Sequence, residues 1–275
     1  MRNWLILFFC FTLLPLLSQV KNHEAGFIEN KGQITDANGK PNPLVKYLLN
    51  TNGLNVQLRE NGFSYDIYEV EKKPSKTLPA SLPAQDSYKD SRNHTRTYHY
   101  HRIDIDFENA NNNVALIAEE ILTGYDNYYN VAHAPNGVLN VQQFRKVTYR
   151  NIYNDIDIVF FIPDDVAKPV EYNFIIRPGG KITDIQLKFR GAKTELVDNK
   201  IKMKLRFGQM EETLPSSWCE NGTEKKECTI NYKKLKKNVY GFDALQSQSG
   251  KTIVIDPVPI RLWGSYFYGD VTFDG

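Results

Sequence analysis

The residues with the clearest chemical potential are two histidines, three carboxylates and two cysteines. His99 and His101 stand two apart, which on a strand places both imidazoles on one face, the arrangement of a metal pair. No third histidine or carboxylate is fixed beside them in sequence, so no metal site is expected. Asp155, Asp157 and Glu171 supply the two-carboxylate chemistry of a glycoside hydrolase, in which one acid protonates the leaving oxygen and the other acts as nucleophile or base. Nothing in their spacing sets them apart from surface charges. Asp155 and Asp157 flank an apolar strand, and Glu171 lies between Val170 and Tyr172 on another. Cys219 and Cys228 flank Glu220-Asn221-Gly222-Thr223, a turn signal, and are expected to join across a hairpin as a disulfide. Two thiols without a neighbouring His or Cys do not make a tetrahedral zinc site. Phosphate-binding chemistry is absent: Pro178-Gly179-Gly180 lacks the Lys-Ser/Thr and the following helix of a P-loop. There is no Gly-x-Ser-x-Gly nucleophile elbow. No catalytic residue and no cofactor is therefore predicted. The aromatic group Tyr125, Tyr128 and Tyr129 is the one candidate ligand-binding patch, through stacking on sugar rings.

The elements around these residues read as strands. In 275 residues there are 16 Tyr and 15 Phe but only 3 Met, a balance that favours sheet over helical bundle. Val45–Asn50, then Leu54, Val56 and Leu58, then Phe63, Tyr65 and Ile67 form a meander across Asn52-Gly53 and Asn61-Gly62. Alternation recurs at 103–107, 170–176, 185–189 and 201–207, and Ile152–Ile162 is the most apolar stretch after the leader. Val114–Leu122 is mixed and would also suit a short helix. Lys72–Thr97, with Pro74, Pro79 and Pro83, reads as a flexible insertion. Lys200, Lys202, Lys204 and Arg206 read as the outward row of an outer or edge strand. The fold predicted is all-β: an antiparallel β-sandwich, one extended or two packed, with few or no long helices.

Residues 1–20 carry Arg2 and the apolar run Trp4–Leu17, the pattern of a signal peptide. The expected location is secreted or outer cell surface, which suits the disulfide. A net charge of +2 gives no pull toward nucleic acid.

The order of motifs resembles a bacterial exported all-β domain of unknown function that precedes SBBP-type β-propeller repeats. Phe27-Ile28-Glu29-Asn30-Lys31-Gly32-Gln33 with Val45-Lys46-Tyr47 is similar to that domain's opening. Asn127-Tyr128-Tyr129, Val147–Phe160, Glu171-Tyr172-Asn173-Phe174, Arg177-Pro178-Gly179 and Gln186–Ala192 are similar to its middle. Thr252–Pro257 is similar to its closing motif. The resemblance implies an all-β module over 24–258 with residues 259–275 beginning a truncated propeller repeat. It also implies a large Gram-negative surface protein, often with a type IX secretion sorting domain. It brings no catalytic residues. Its motif side chains are expected to determine the fold: Asn30, Gly32 and Gln33 a loop, Asp155 and Asp157 a turn and strand edge, Glu171 a strand position. Pro178 and Gly179 would make a hairpin, and Asp256 and Pro257 the end of the last strand. The function expected is a non-catalytic structural or adhesive module, with a carbohydrate-binding or carbohydrate-active module as the alternative. The expected partners are surface polysaccharide, other cell-surface proteins, and downstream repeats in a longer relative.

Overall fold

The computed structural model describes residues 25–36, 38–74, 94–165, 168, 170–244 and 250–262. The expected signal peptide, the centre of the Lys72–Thr97 segment and the propeller entry near Trp263 lie outside them. Nineteen strands follow in order: β1 Phe27–Glu29, β2 Val45–Asn50, β3 Leu54–Arg59, β4 Gly62–Pro74, β5 His94–Phe107, β6 Ala115–Ile121 and β7 Asp126–Tyr128. Then come β8 Val138–Val141, β9 Gln143–Tyr153, β10 Ile156–Phe161, β11 Glu171–Ile176, β12 Leu187–Arg190 and β13 Lys193–Val197. The last are β14 Lys200–Lys204, β15 Gln209–Asn221, β16 Glu224–Glu227, β17 Ile230–Lys236, β18 Val239–Ala244 and β19 Thr252–Leu262. The helical content described is one 3-10 turn at Ile182–Asp184, and no helix there is long and apolar enough to cross a membrane.

Every ladder is antiparallel, and all but the small β7–β8 ribbon join one continuous sheet. One half runs β1–β2–β3–β4–β5–β12–β18–β17. The other runs β6–β9–β10–β11–β19–β15–β14–β13, with β16 on the far end of β15. The halves join at β9, which pairs with β10 along most of its length and with β1 at Phe144 and Gln143. The sheet thus curls round like a barrel and packs against itself as two layers. At the opposite seam, side chains replace the ladder. The Tyr232 N–H donates to Asn199 Oδ1 at 2.6 Å, Tyr240 donates to Thr194 Oγ1 at 2.9 Å, and the Cys219–Cys228 disulfide ties β15 to the approach to β17.

The core lies between the layers and is aromatic. Phe63 of β4 meets Phe160 and Tyr172 at ring-centroid distances of 5.0 and 5.3 Å, Phe107 meets Tyr149 at 5.6 Å, and Phe174 meets Phe242 at 5.3 Å. The buried Tyr149 hydroxyl lies 2.7 Å from Arg59 O and 3.0 Å from Gly62 O, binding one layer to the turn of the other. Position 62 must be glycine there, since a Cβ would lie 2.3 Å from Ile105 O.

Several expectations change. The mixed stretch Val114–Leu122 holds a strand, Ala115–Ile121, because β6 completes the side of β9 opposite β10. The Lys72–Thr97 insertion is shorter than expected: the β4–β5 ladder continues to Pro74 opposite His94. The lysine row of β14 does face outward but is not at an edge, since β13 and β15 pair on both sides, and Lys200 and Lys202 lie 3.5 and 3.8 Å from the Glu211 carboxylate. Asp256 and Pro257 do not end the last strand: β19 runs on to Leu262. Pro257 fits because the β15 ladder breaks between Thr213 and Ser216, where no N–H is needed.

One buried charge stands out. Glu212 sits in the core, where Tyr172 donates to its Oε2 at 3.2 Å. Burial pushes its carboxyl up to about 7, and the hydroxyls of Tyr65 and Tyr172 only partly oppose the rise. The folded state therefore holds this proton more tightly than the unfolded chain. Its contribution to stability is full below the ordinary carboxyl range and is lost as pH rises toward 7, by about 3 kcal/mol. Glu212→Gln should match the wild type at pH 4.5 and exceed it by roughly that amount at pH 8 in urea titrations. Equal stabilities at pH 8 would refute the assignment.

Candidate functional site

Asp155 and Asp157 belong to a clamp at one end of the β9–β10–β11 hairpins. Asp155 takes the left-handed turn position, φ 57°, and its carbonyl accepts the Arg177 N–H at 2.8 Å. Asp157 is buried: Arg150 Nη1 reaches it at 2.8 Å, the Asn151 N–H at 2.7 Å, and Arg177 adds a second guanidinium. Gly179, φ 107°, passes so close to Asp155 that a Cβ would lie 2.9 Å from Oδ2. Asp155, Asp157, Pro178 and Gly179, from two separate motifs, thus meet at one pair of turns. Glu171 is elsewhere. It pairs with Phe161, while Asp157 pairs with Ile175 at the other end of the same ladder. Four strand residues separate them by about 13 Å, beyond the roughly 5–9.5 Å of a glycosidase pair.

Glu171 is instead brought to Asp256. Both face outward from the neighbouring strands β11 and β19, and Asn173, with its amide nitrogen toward Asp256, donates to Oδ1 at 2.9 Å. Burial, reinforced by the Glu171 charge, pushes the Asp256 carboxyl up to about 6, while Lys168 and Lys225 pull against the rise. Lys168 closes on Glu171 as an ion pair. Lys168 also lines a cleft of about 1050 Å³ at the open end of the sandwich, with Leu54, Tyr68, Arg145, Pro259 and Arg261 among its walls. The cations there are matched locally: Arg145 with Asp164 at 3.0 Å and Arg261 with Glu69 at 3.3 Å.

A family profile described as Domain of unknown function (DUF7948) matches residues 27–258, most of the chain. The chain belongs to this family. No curated protein and no solved structure matches it.

Within the DUF7948 region the opening residues form a hydrogen-bonded loop. Asn30 Nδ2 donates to Val45 O at 2.7 Å and to Asn42 O at 2.9 Å, its Oδ1 accepts the Gly32 N–H at 2.8 Å, and Gln33 Nε2 donates back to Glu29 O at 2.5 Å. Gly32, φ 111°, takes a conformation open to glycine. The histidines are not brought to a common ligand. His101 Nδ1 accepts the Arg206 N–H at 2.9 Å and its Nε2 lies 3.0 Å from Gly191 O, so both nitrogens are occupied, while His99 lies 3.4 Å from Glu71. Among the described residues no group of three potential ligands could hold a metal. Tyr125 and Tyr129 are 58% and 68% exposed beside the β7–β8 ribbon, with Tyr128 half-buried. The cysteines are bonded but not opposite: Cys219 pairs with Lys226, and the Cys228 N–H reaches Ser217 O at 2.9 Å.

Sequence reading missed Arg150, Arg177, Lys168 and Asn173, the partners that give the carboxylates their roles. Arg150, Asn173 and Arg177 already stood inside the motifs given above, which was the available signal. The clamp yields a direct test: Asp157→Asn should lower stability by about 1–3 kcal/mol, since two guanidiniums lose a charged acceptor. A change under about 0.5 kcal/mol, within the range of ordinary surface substitutions, would refute the clamp.

Proposed function

We propose that this DUF7948 chain is a non-catalytic module of an exported protein, serving a structural or adhesive role at the cell surface. The observation that carries the reading is the use of the motif side chains. Asn30, Gln33 and Asp157 are each satisfied by internal hydrogen bonds or ion pairs that hold turns, and Glu171 is paired with Lys168. The two carboxylates among them, Asp157 and Glu171, are each engaged by cationic partners, which supports a structural rather than a proton-transferring role. The apolar leader at 1–20 and the disulfide fit an exported chain. The motif order is compatible with a place ahead of SBBP-type repeats and with type IX export.

A second reading, carbohydrate binding, is favoured by one observation: the Tyr125 and Tyr129 rings are solvent-exposed rather than core filling. The carbohydrate-active form of that reading would need the Glu171–Asp256 pair. Incubating the full chain with laminarin, xylan and alginate and measuring new reducing ends tests this. No release above blank is expected between pH 4 and 8. Release that disappears in Glu171→Gln or Asp256→Asn would replace the non-catalytic reading with a hydrolase.

A further inference from the structure

The β4–β5 hairpin reverses its own polarity. In its first half the inward residues are apolar, Phe63, Tyr65 and Ile67 with Ile103 and Ile105, and the outward ones polar, Ser64 and Asp66 with Arg102 and Asp104. Beyond Ile67 the register continues unbroken, Tyr68 opposite Tyr100, Glu69 opposite His99, Val70 opposite Tyr98. Yet now the outward face carries Tyr68, Val70, Tyr98 and Tyr100, and the inward face Glu69, Glu71, Thr97 and His99. A one-residue slip would exchange faces in the same way, but no slip occurs, so the exchange is written into the sequence. β3 leaves β4 at Ile67 and β12 covers β5 only from Asp104, so this part of the ribbon has no third strand among the described residues.

The outward tyrosines are arranged. Tyr98 and Tyr100 are 48% and 50% exposed, their rings lie 6.3 Å apart and within 19° of parallel, and Tyr68 packs against both at 5.8 and 5.5 Å. Tyr68 is anchored by donating to Thr51 O at 3.0 Å. Beside Tyr100 lies a planar polar group: Arg102 Nη1 donates to Gln57 Oε1 at 2.9 Å, and Gln57 Nε2 donates to Asp66 at 2.5 Å.

Two features select the occupant. The ribbon's margins carry Glu69, Glu71, Lys72, Lys73 and Arg96, which oppose addition of a further strand. Two half-exposed tyrosines, the more buried Tyr68 and a valine also offer only about 300 Å², far below the roughly 800 Å² per partner of a stable protein interface. A narrow ligand with a repeating apolar face fits both limits. Sugar rings stack their C–H faces on aromatic rings and turn their hydroxyls to planar polar side chains. Arg102 is paired with Asp104 at 2.9 Å and Asp66 at 3.5 Å, so the group does not call for a charged ligand. We propose that Tyr68, Tyr98 and Tyr100 form a stacking platform for a neutral linear polysaccharide. The ligand class rests on the second reading above, but the site is separate from Tyr125 and Tyr129.

Affinity electrophoresis of the full chain in gels holding laminarin, xylan or alginate tests the proposal. The wild type should be retarded by laminarin or xylan more than by alginate. Tyr98→Ala/Tyr100→Ala should weaken binding by about ten-fold or more, given the usual worth of two aromatic contacts. Tyr98→Phe/Tyr100→Phe, which keeps the rings and controls for folding, should retain it, as should Tyr125→Ala/Tyr129→Ala. Retardation unchanged in the Tyr98/Tyr100 alanine variant would overturn the platform while leaving carbohydrate binding standing. No retardation of the wild type in any gel would overturn both. Self-association in sedimentation that vanishes in that variant, without glycan retardation, would make the face a protein contact and overturn the proposal.

Discussion

Phe63 packs on Phe160 and Tyr172 across the two layers, and the rest of the molecule follows from the need to keep that face dry. A sheet this long, apolar on one side, has only itself to pack against, because the described residues include no long helix to cover it. Curling at β9 brings the aromatic face of β10 and β11 over that of β4 and β5. The ladder carries on round the β9 corner but stops at the seam between β13–β15 and β17–β18. There, side-chain hydrogen bonds and the disulfide bridge the gap.

The same geometry explains why the motif residues are polar without being reactive. Tight turns leave backbone groups unpaired, and a buried carboxylate or amide is a compact way to satisfy them. Asp157 and Asn30 do this at two separate turns. Polar groups held so firmly are poor instruments of chemistry, which leaves recognition to the exposed tyrosines.

Much of the architecture was legible in the sequence. Asn-Gly pairs marked the β2–β3–β4 meander, and alternation marked the strands that face the core. Three features were not legible, each for a physical reason. The outer β4–β5 ribbon looked like a loop because alternation signals a strand only where one face meets a core, and here the pattern reverses. Pro257 looked like a terminus because proline usually ends a ladder, yet a bulge in β15 removes the demand for its N–H. The pairings of β9 with β1 and β5 with β12 join segments far apart in the chain, and no turn signal announces them. The carboxylates were named as residues, but not which cations they meet: Arg150 and Lys168 lie nearby in sequence, while Arg177 comes from the end of another strand. Strand alternation does not say which neighbouring charges share a face across a turn, so the pairing waited on the register.

β19 has a mechanical consequence. It lies between β11 and β15 and is matched to β15 at ten positions from Thr252 to Leu262. A force applied at Leu262 along the strand would load those bonds together, in shear, rather than peel them one by one. Forced unfolding is governed by the barrier to rupture rather than by equilibrium stability. A strand held by one long ladder, and by a second at Ile253–Ile255, presents a high barrier when pulled lengthwise. Whatever load reaches that end of the chain is thus carried into the centre of the sheet rather than to its rim.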